Sequence, residues 1–136
     1  MIHRISFDLC VELNRIEVKA GPLVAPDKLE SALAAPFQVF GGVEAHPTLV
    51  EKAARLAYGI AEAQAFRDGN KRTAWLVTVV FLEMNGVKLE VDQDEAAHVI
   101  RSLGMRDDND ARLLDLHGLV DWFVRCTTGA PTPGWC

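Results

Sequence analysis

The chain has 136 residues, enough for one domain that buries its own core. Its 49% hydrophobic and 24% charged content is that of a globular protein, and a net charge of −5 excludes a general nucleic-acid coat. That balance gives no expectation of direct nucleic-acid binding, yet it leaves room for a local basic pocket that holds one phosphorylated ligand.

No apolar run is long enough to span a bilayer, and the first residues carry no secretory pattern. A cytoplasmic address with no membrane partner is expected. Cys10, Cys126 and Cys136 form no Cys-x-x-Cys pair, which speaks against a zinc site or a disulfide framework.

Residues 6–18 read as a first helix, with Ser6 as its cap and Leu9, Leu13 and Ile16 on one face. Ala20-Gly21-Pro22 breaks it. Pro26 and Asp27 open a short helix that ends near Ala34, before Pro36. Residues 37–43, with Phe40-Gly41-Gly42, read as an extended or turning segment.

Thr48 and Glu51 fit a capping box after Pro47. Leu49, Ala53, Leu56, Ala57, Ile60 and Gln64 then recur at helical spacing, which puts Gln64 on the inward side at the end of that helix. After a loop over residues 66–69, a segment runs from Asn70 to Asn85. Its β-branched centre suits a buried strand. Its length and the Asn85-Gly86 stop suit a helix.

Asp92 and Glu95 fit a cap and its partner for a helix to about Leu103. Residues 104–109 turn, and the acidic run Asp107-Asp108-Asn109-Asp110 lacks the pattern of a calcium loop and reads as a solvated loop. A last helix runs from about Asp115 to Arg125. Trp75 and Trp122 read as core, while Trp135 lies in an irregular tail over residues 127–136. The expected architecture is all-α, a compact bundle of about six or seven helices with a short flap, its domain spanning residues 1–126.

The chemistry sits in Gln64-Ala65-Phe66-Arg67-Asp68-Gly69-Asn70-Lys71-Arg72-Thr73. Gly69 and Asn70 put a turn at a helix start, where unpaired amides and the helix dipole favour an anion, usually phosphate. Lys71 and Arg72 add two charges to a first turn that ordinarily prefers acidic residues. Asp68 offers a hard oxygen that suits Mg²⁺. The bland alternative is a capped helix with two solvated basic residues. The run is not a Walker A loop.

Phe-x-Asp-Gly-Asn-Lys-Arg-Thr, seven fixed residues in eight positions, resembles the core motif of the Fic/Doc family in its Doc branch. The run from Leu29 to Pro36, Phe40-Gly41-Gly42, Pro47-Thr48-Leu49 and the run from Phe81 to Gly86 resemble its surroundings. The resemblance implies a helix from Asn70 onward. It also implies nucleotide chemistry with ATP and Mg²⁺: AMP transfer in typical members, γ-phosphate transfer to a threonine of elongation factor Tu in Doc-like toxins. Asp68 would help hold Mg²⁺. Gly69, Asn70, Lys71 and Arg72 would meet the phosphates, with Phe66 anchoring the loop, so these six form the expected cofactor-binding set. Residues 37–43 would be the flap that aligns the target segment.

The resemblance also implies a histidine where this chain has Gln64. An imidazole can take the proton of an attacking hydroxyl, whereas an amide can only orient it. Gln64, Asp68, Lys71 and Arg72 are therefore the expected catalytic set, in a weakened or dead phosphotransferase or adenylyltransferase. Three readings of Gln64 stay open: a change introduced so that a toxic protein can be produced, a natural loss that leaves a nucleotide- or partner-binding module, or another group serving as base. His3, His46, His98 and His117 read as surface or satisfied residues rather than that base.

The chain has no match to the inhibitory pattern Ser/Thr-x-x-x-Glu-Gly/Asn found in many Fic proteins. Restraint of a toxin would then come from another chain, an antitoxin whose disordered segment folds in a groove.

Overall fold

A computed structural model describes residues 1–19 and 21–128. Its helices are α1 (Phe7–Leu13), α2 (Pro26–Ala34), α3 (Leu49–Ala63), α4 (Asn70–Met84), α5 (Gln93–Ser102) and α6 (Leu116–Cys126). Two small antiparallel pairs complete it: β1 (Val39–Phe40) with β2 (Val43–Glu44), and β3 (Lys88–Leu89) with β4 (Thr127–Thr128). The fold is thus the expected mostly helical one. Among the described residues, no helix is long and apolar enough to cross a membrane.

The first helix departs from regularity. Ser6 caps α1 by accepting the Leu9 N–H at 3.0 Å, but from Asn14 to Val18 the chain widens into a π-helical turn that Lys19 ends at φ 55°. Such turns are frequent at functional sites. Here the turn accompanies a buried Asn14 side chain, whose Nδ2 donates to Thr73 Oγ1 in α4 at 2.8 Å.

α3 takes the centre of the bundle, packed against α2, α4 and α6. Its start is the expected capping box: the Thr48 hydroxyl accepts the Glu51 N–H at 3.1 Å and the Glu51 carboxylate accepts the Thr48 N–H at 3.3 Å. Small residues on α3 let neighbours approach closely. A Cβ added at Gly59 would stand 3.5 Å from the Ala32 Cβ of α2. α4 is a helix from Asn70, as expected, and buries Thr73, Ala74, Val77, Thr78, Phe81 and Leu82. Each fully buried large side chain, such as Phe81 or Phe123, contributes about 1.5–3 kcal/mol.

The turn of β1 and β2 uses Gly41 and Gly42, both at positive φ (57° and 82°), which favours glycine. Val39, Phe40 and Val43 are exposed on this hairpin. Its root is tied to α3, where the buried Lys52 ammonium meets the Glu44 carboxylate at 3.0 Å and the His46 carbonyl.

At α5 the Asp92 side chain caps the Glu95 N–H at 3.2 Å, but Glu95 does not close a capping box. Its carboxylate instead accepts the Trp122 indole N–H at 2.7 Å, which gives a buried indole its hydrogen-bond partner across two helices. Trp75 lies parallel to Phe123, ring centroids 6.4 Å apart. Thr127 and Thr128, read above as the start of an irregular tail, pair with β3. Trp135 and Cys136 lie outside the described residues, while Cys10 and Cys126 are buried free thiols.

Candidate active site

α3 stops at Ala63, and Gln64 caps it in the left-handed conformation, φ 49° and ψ 44°. The expectation of an inward-facing Gln64 is therefore corrected. One left-handed residue swings the side chain off the helix stripe, and Gln64 is exposed. A non-glycine residue in this region costs about 1–2 kcal/mol, and such strain collects at functional sites.

The loop after Gln64 is held on three sides. On one side runs the segment after Gly21. The Val24 and Ala25 amides donate to the Ala65 carbonyl at 2.7 and 3.0 Å, and the Arg67 N–H donates to the Pro22 carbonyl at 2.9 Å. This approach favours glycine at position 21, where a Cβ would stand a tight 3.1 Å from both Arg67 Cβ and the Asp68 nitrogen. From within, the Asn70 side chain accepts the Phe66 N–H at 3.0 Å and donates to the Phe66 carbonyl at 2.9 Å. From beneath, the Thr73 hydroxyl donates to the Gly69 carbonyl at 2.8 Å and is itself held by Asn14.

Gly69, at φ 70°, then starts α4 without any side-chain cap. Among the described residues, the Asn70, Lys71 and Arg72 amides find no acceptor, while the Gly69 N–H is taken by Asp68 Oδ1 at 2.8 Å. These amides and the helix dipole favour an anion at the loop.

The cleft at this helix start has a volume of about 360 Å³. Gln64, Asp68, Gly69, Asn70, Lys71 and Arg72 all line it, so the structure brings together all but one of the residues singled out from the sequence. Phe66 is the exception. It is only 2% exposed and contributes instead to a separate apolar groove with Val11 and Leu23. Phe66 and Asn70 build the loop.

The Lys71 side chain spans from α4 to α5. Its ammonium donates to the Arg101 carbonyl at 2.9 Å, at the end of α5 where the helix dipole is negative. Arg72 is exposed, and its side chain makes no hydrogen bond or ion pair among the described residues. Arg67 also lines the cleft, giving it three cations against the single carboxylate of Asp68 in a chain of net charge −5.

Sequence reading did not single out Arg67, Asn14 or Gly21 for the site. Arg67 stood inside the motif and could have been weighed as a third cation. The other two act across the fold and leave no local signal. None of the histidines lines the cleft.

Mg²⁺ can be tested against these side chains. No group of three or more His, Cys, Asp or Glu side chains that could hold a metal occurs among the described residues. Asp68 uses one oxygen for the Gly69 amide and keeps the other free. One carboxylate suits Mg²⁺ that shares its remaining ligands with phosphate and water, so the donor set fits an ion carried by a nucleotide.

Residues 1–82 match the family model described as Fic/DOC family. The chain is 41% identical over 95 residues to Toxin Doc of Mycolicibacterium smegmatis, an alignment that covers 68% of this chain and 73% of that one. With its family motif folded into one cationic cleft at the start of α4, the chain belongs to the Fic/DOC family.

Proposed function

We propose that the protein is a Doc-like toxin of a toxin–antitoxin module, which transfers the γ-phosphate of ATP to a hydroxyl of a translation factor, elongation factor Tu, and is slowed by Gln64. The observation that carries this reading is the uncapped start of α4. Three amides without acceptors sit in one cleft with Arg72, Asp68 and Gln64. The amides and Arg72 would bind phosphate oxygens, and Asp68 would hold the nucleotide's Mg²⁺. When bound, Mg²⁺ neutralises phosphate charge.

Gln64 at the mouth of the cleft can orient the attacking hydroxyl but takes no proton from it. Loss of a general base costs roughly 10²–10⁴ in rate. The β1–β2 hairpin, whose outer edges pair with no further strand among the described residues, would align the target segment by strand addition. The protein would act in the cytoplasm. An antitoxin segment folding into a helix would restrain it, with the apolar groove beside Val11, Leu23 and Phe66 as a surface suited to such a helix.

A second reading rests on Gln64 itself. With no proton acceptor at that position, the same cleft serves a nucleotide- or partner-binding module. AMP transfer is a third outcome that the same experiment reads.

The experiment incubates elongation factor Tu with ATP, Mg²⁺ and either the chain as it stands or its Gln64→His variant, followed by intact mass. The expected result is a gain of one phosphate that is at least about a hundredfold faster with Gln64→His. A gain of AMP mass would assign adenylyl transfer instead. No mass change with either folded protein would overturn the enzyme reading and leave the binding module.

A further inference from the structure

The cleft does not end at the phosphate cradle. It adjoins a second lobe of about 320 Å³, whose walls include Glu62, Gln64, Lys71, Leu103 and Arg106. Gln64 and Lys71 stand on both lobes. Each lobe alone is near the lower end of ligand-pocket volumes, about 300–1,000 Å³. A ligand larger than a single phosphate group would extend from one lobe into the other.

The charge of the second lobe is set by a competition for Glu62. Arg112 takes both carboxylate oxygens, Nε at 3.1 Å and Nη2 at 2.9 Å, in a fork that suits guanidinium. Arg106 is left 3.8 Å from the same carboxylate, beyond hydrogen-bond range. Its other contacts are with Asp110: one to the carbonyl at 3.1 Å, and one at 3.7 Å to a carboxylate that is 89% exposed and well solvated. Arg112 thus satisfies Glu62 and leaves Arg106 as the weakly held cation on the rim. Lys71 adds a second cation to this lobe.

We propose that Arg106 is a further phosphate-binding residue, which contacts the part of a nucleoside triphosphate's phosphate chain that extends beyond the amides of α4. The inference rests on the nucleotide reading above and adds a residue that lies outside the stretch matched by the family model, residues 1–82. The chain of phosphates would run from the Arg72 side of the cleft, past Lys71, to Arg106. The short loop from Gly104 to Leu114 would then be a wall of the binding site, latched to α3 through Glu62.

The test is calorimetric titration of the full chain with ATP and Mg²⁺, and separately with inorganic tripolyphosphate, for the protein as it stands, Arg106→Ala and Arg106→Lys. Arg106→Ala is expected to weaken both ligands about tenfold, the size of one charge-assisted contact, while Arg106→Lys keeps most of the affinity and both variants keep the thermal midpoint. Unchanged ATP affinity in Arg106→Ala would overturn the proposal. So would loss for ATP without loss for tripolyphosphate, which would put Arg106 against the nucleoside. Equal losses in both variants with a lowered midpoint would make Arg106 a support of the loop and would likewise overturn it. Absence of ATP binding by the unaltered chain would remove the nucleotide reading itself, a result distinct from the variant comparison.

Discussion

Asn70 closes a two-bond clamp on Phe66, accepting its N–H at 3.0 Å and donating to its carbonyl at 2.9 Å. One side chain therefore fixes both backbone groups of the residue that leads into Asp68. The same device recurs at the other end of α4, where Asn85 accepts the His3 N–H at 2.7 Å and donates to the His3 carbonyl at 3.0 Å. Loss of the Asn70 clamp leaves two partly buried backbone groups unpaired. Asn70→Ala is expected to cost about 1–3 kcal/mol. Asn70→Asp should fare no better, since it sets a carboxylate against the Phe66 carbonyl. Thermal unfolding followed by circular dichroism reads the cost, and an unchanged midpoint in Asn70→Ala would refute the clamp.

The link from the π-helical turn after α1 to the site runs through two buried side chains. Asn14 donates to the Thr73 hydroxyl at 2.8 Å, and Thr73 donates to the Gly69 carbonyl at 2.8 Å. Because the three groups form one chain, Asn14→Ala and Thr73→Val should not add. A double-mutant cycle is expected to give a coupling of about 1 kcal/mol, within the range for groups sharing a hydrogen-bond network. Additive losses would mean that the two residues stabilise the loop independently.

Local chemistry carried most of what could be read in advance. Ser6, the Thr48–Glu51 box, Asp92 and the Asn85-Gly86 stop each act within a few residues of themselves, and each stands where the sequence put it. The motif from Gln64 to Arg72 was legible for the same reason, since helix start, turn and charges are contiguous. The rest depends on distance along the chain. Asn14 meets Thr73 across 59 positions and Arg112 meets Glu62 across 50, separations over which no periodicity speaks. Gln64 misled because helical spacing assumes helical dihedrals, and its left-handed φ ended that spacing one residue early. Glu95 misled because a capping role and a cross-helix bond to Trp122 compete for one carboxylate, and only packing decides between them.

Arg72 separates function from stability. It lies on the exposed side of the first turn of α4, makes no side-chain hydrogen bond or ion pair among the described residues, and occupies a helix start where positive charge is unfavourable. Arg72→Ala is therefore expected to leave the midpoint unchanged or raise it slightly, while ATP affinity falls about tenfold or more. Calorimetric titration beside thermal melts checks both halves. Undiminished ATP affinity would return Arg72 to the bland reading of a solvated basic residue.

Cys10 gives the protein an alkaline weakness. Its side chain is fully buried in α1, and burial pushes the thiol from its usual 9.0 up to about 12. Burial also raises Cys126, with the Glu95 carboxylate acting in the same direction. A thiol whose folded value lies above its unfolded one keeps its proton longer in the native state. Stability is full below pH 9 and falls as unfolded chains release the Cys10 proton, by at most about 1.4 kcal/mol per pH unit. Urea denaturation at pH 8, 9 and 10.5 should therefore show the unaltered chain losing stability faster than Cys10→Ala, with the two curves most nearly parallel below pH 9. Curves that stay parallel through pH 10.5 would mean that the Cys10 thiolate is accommodated in the folded state, against the dry packing around α1.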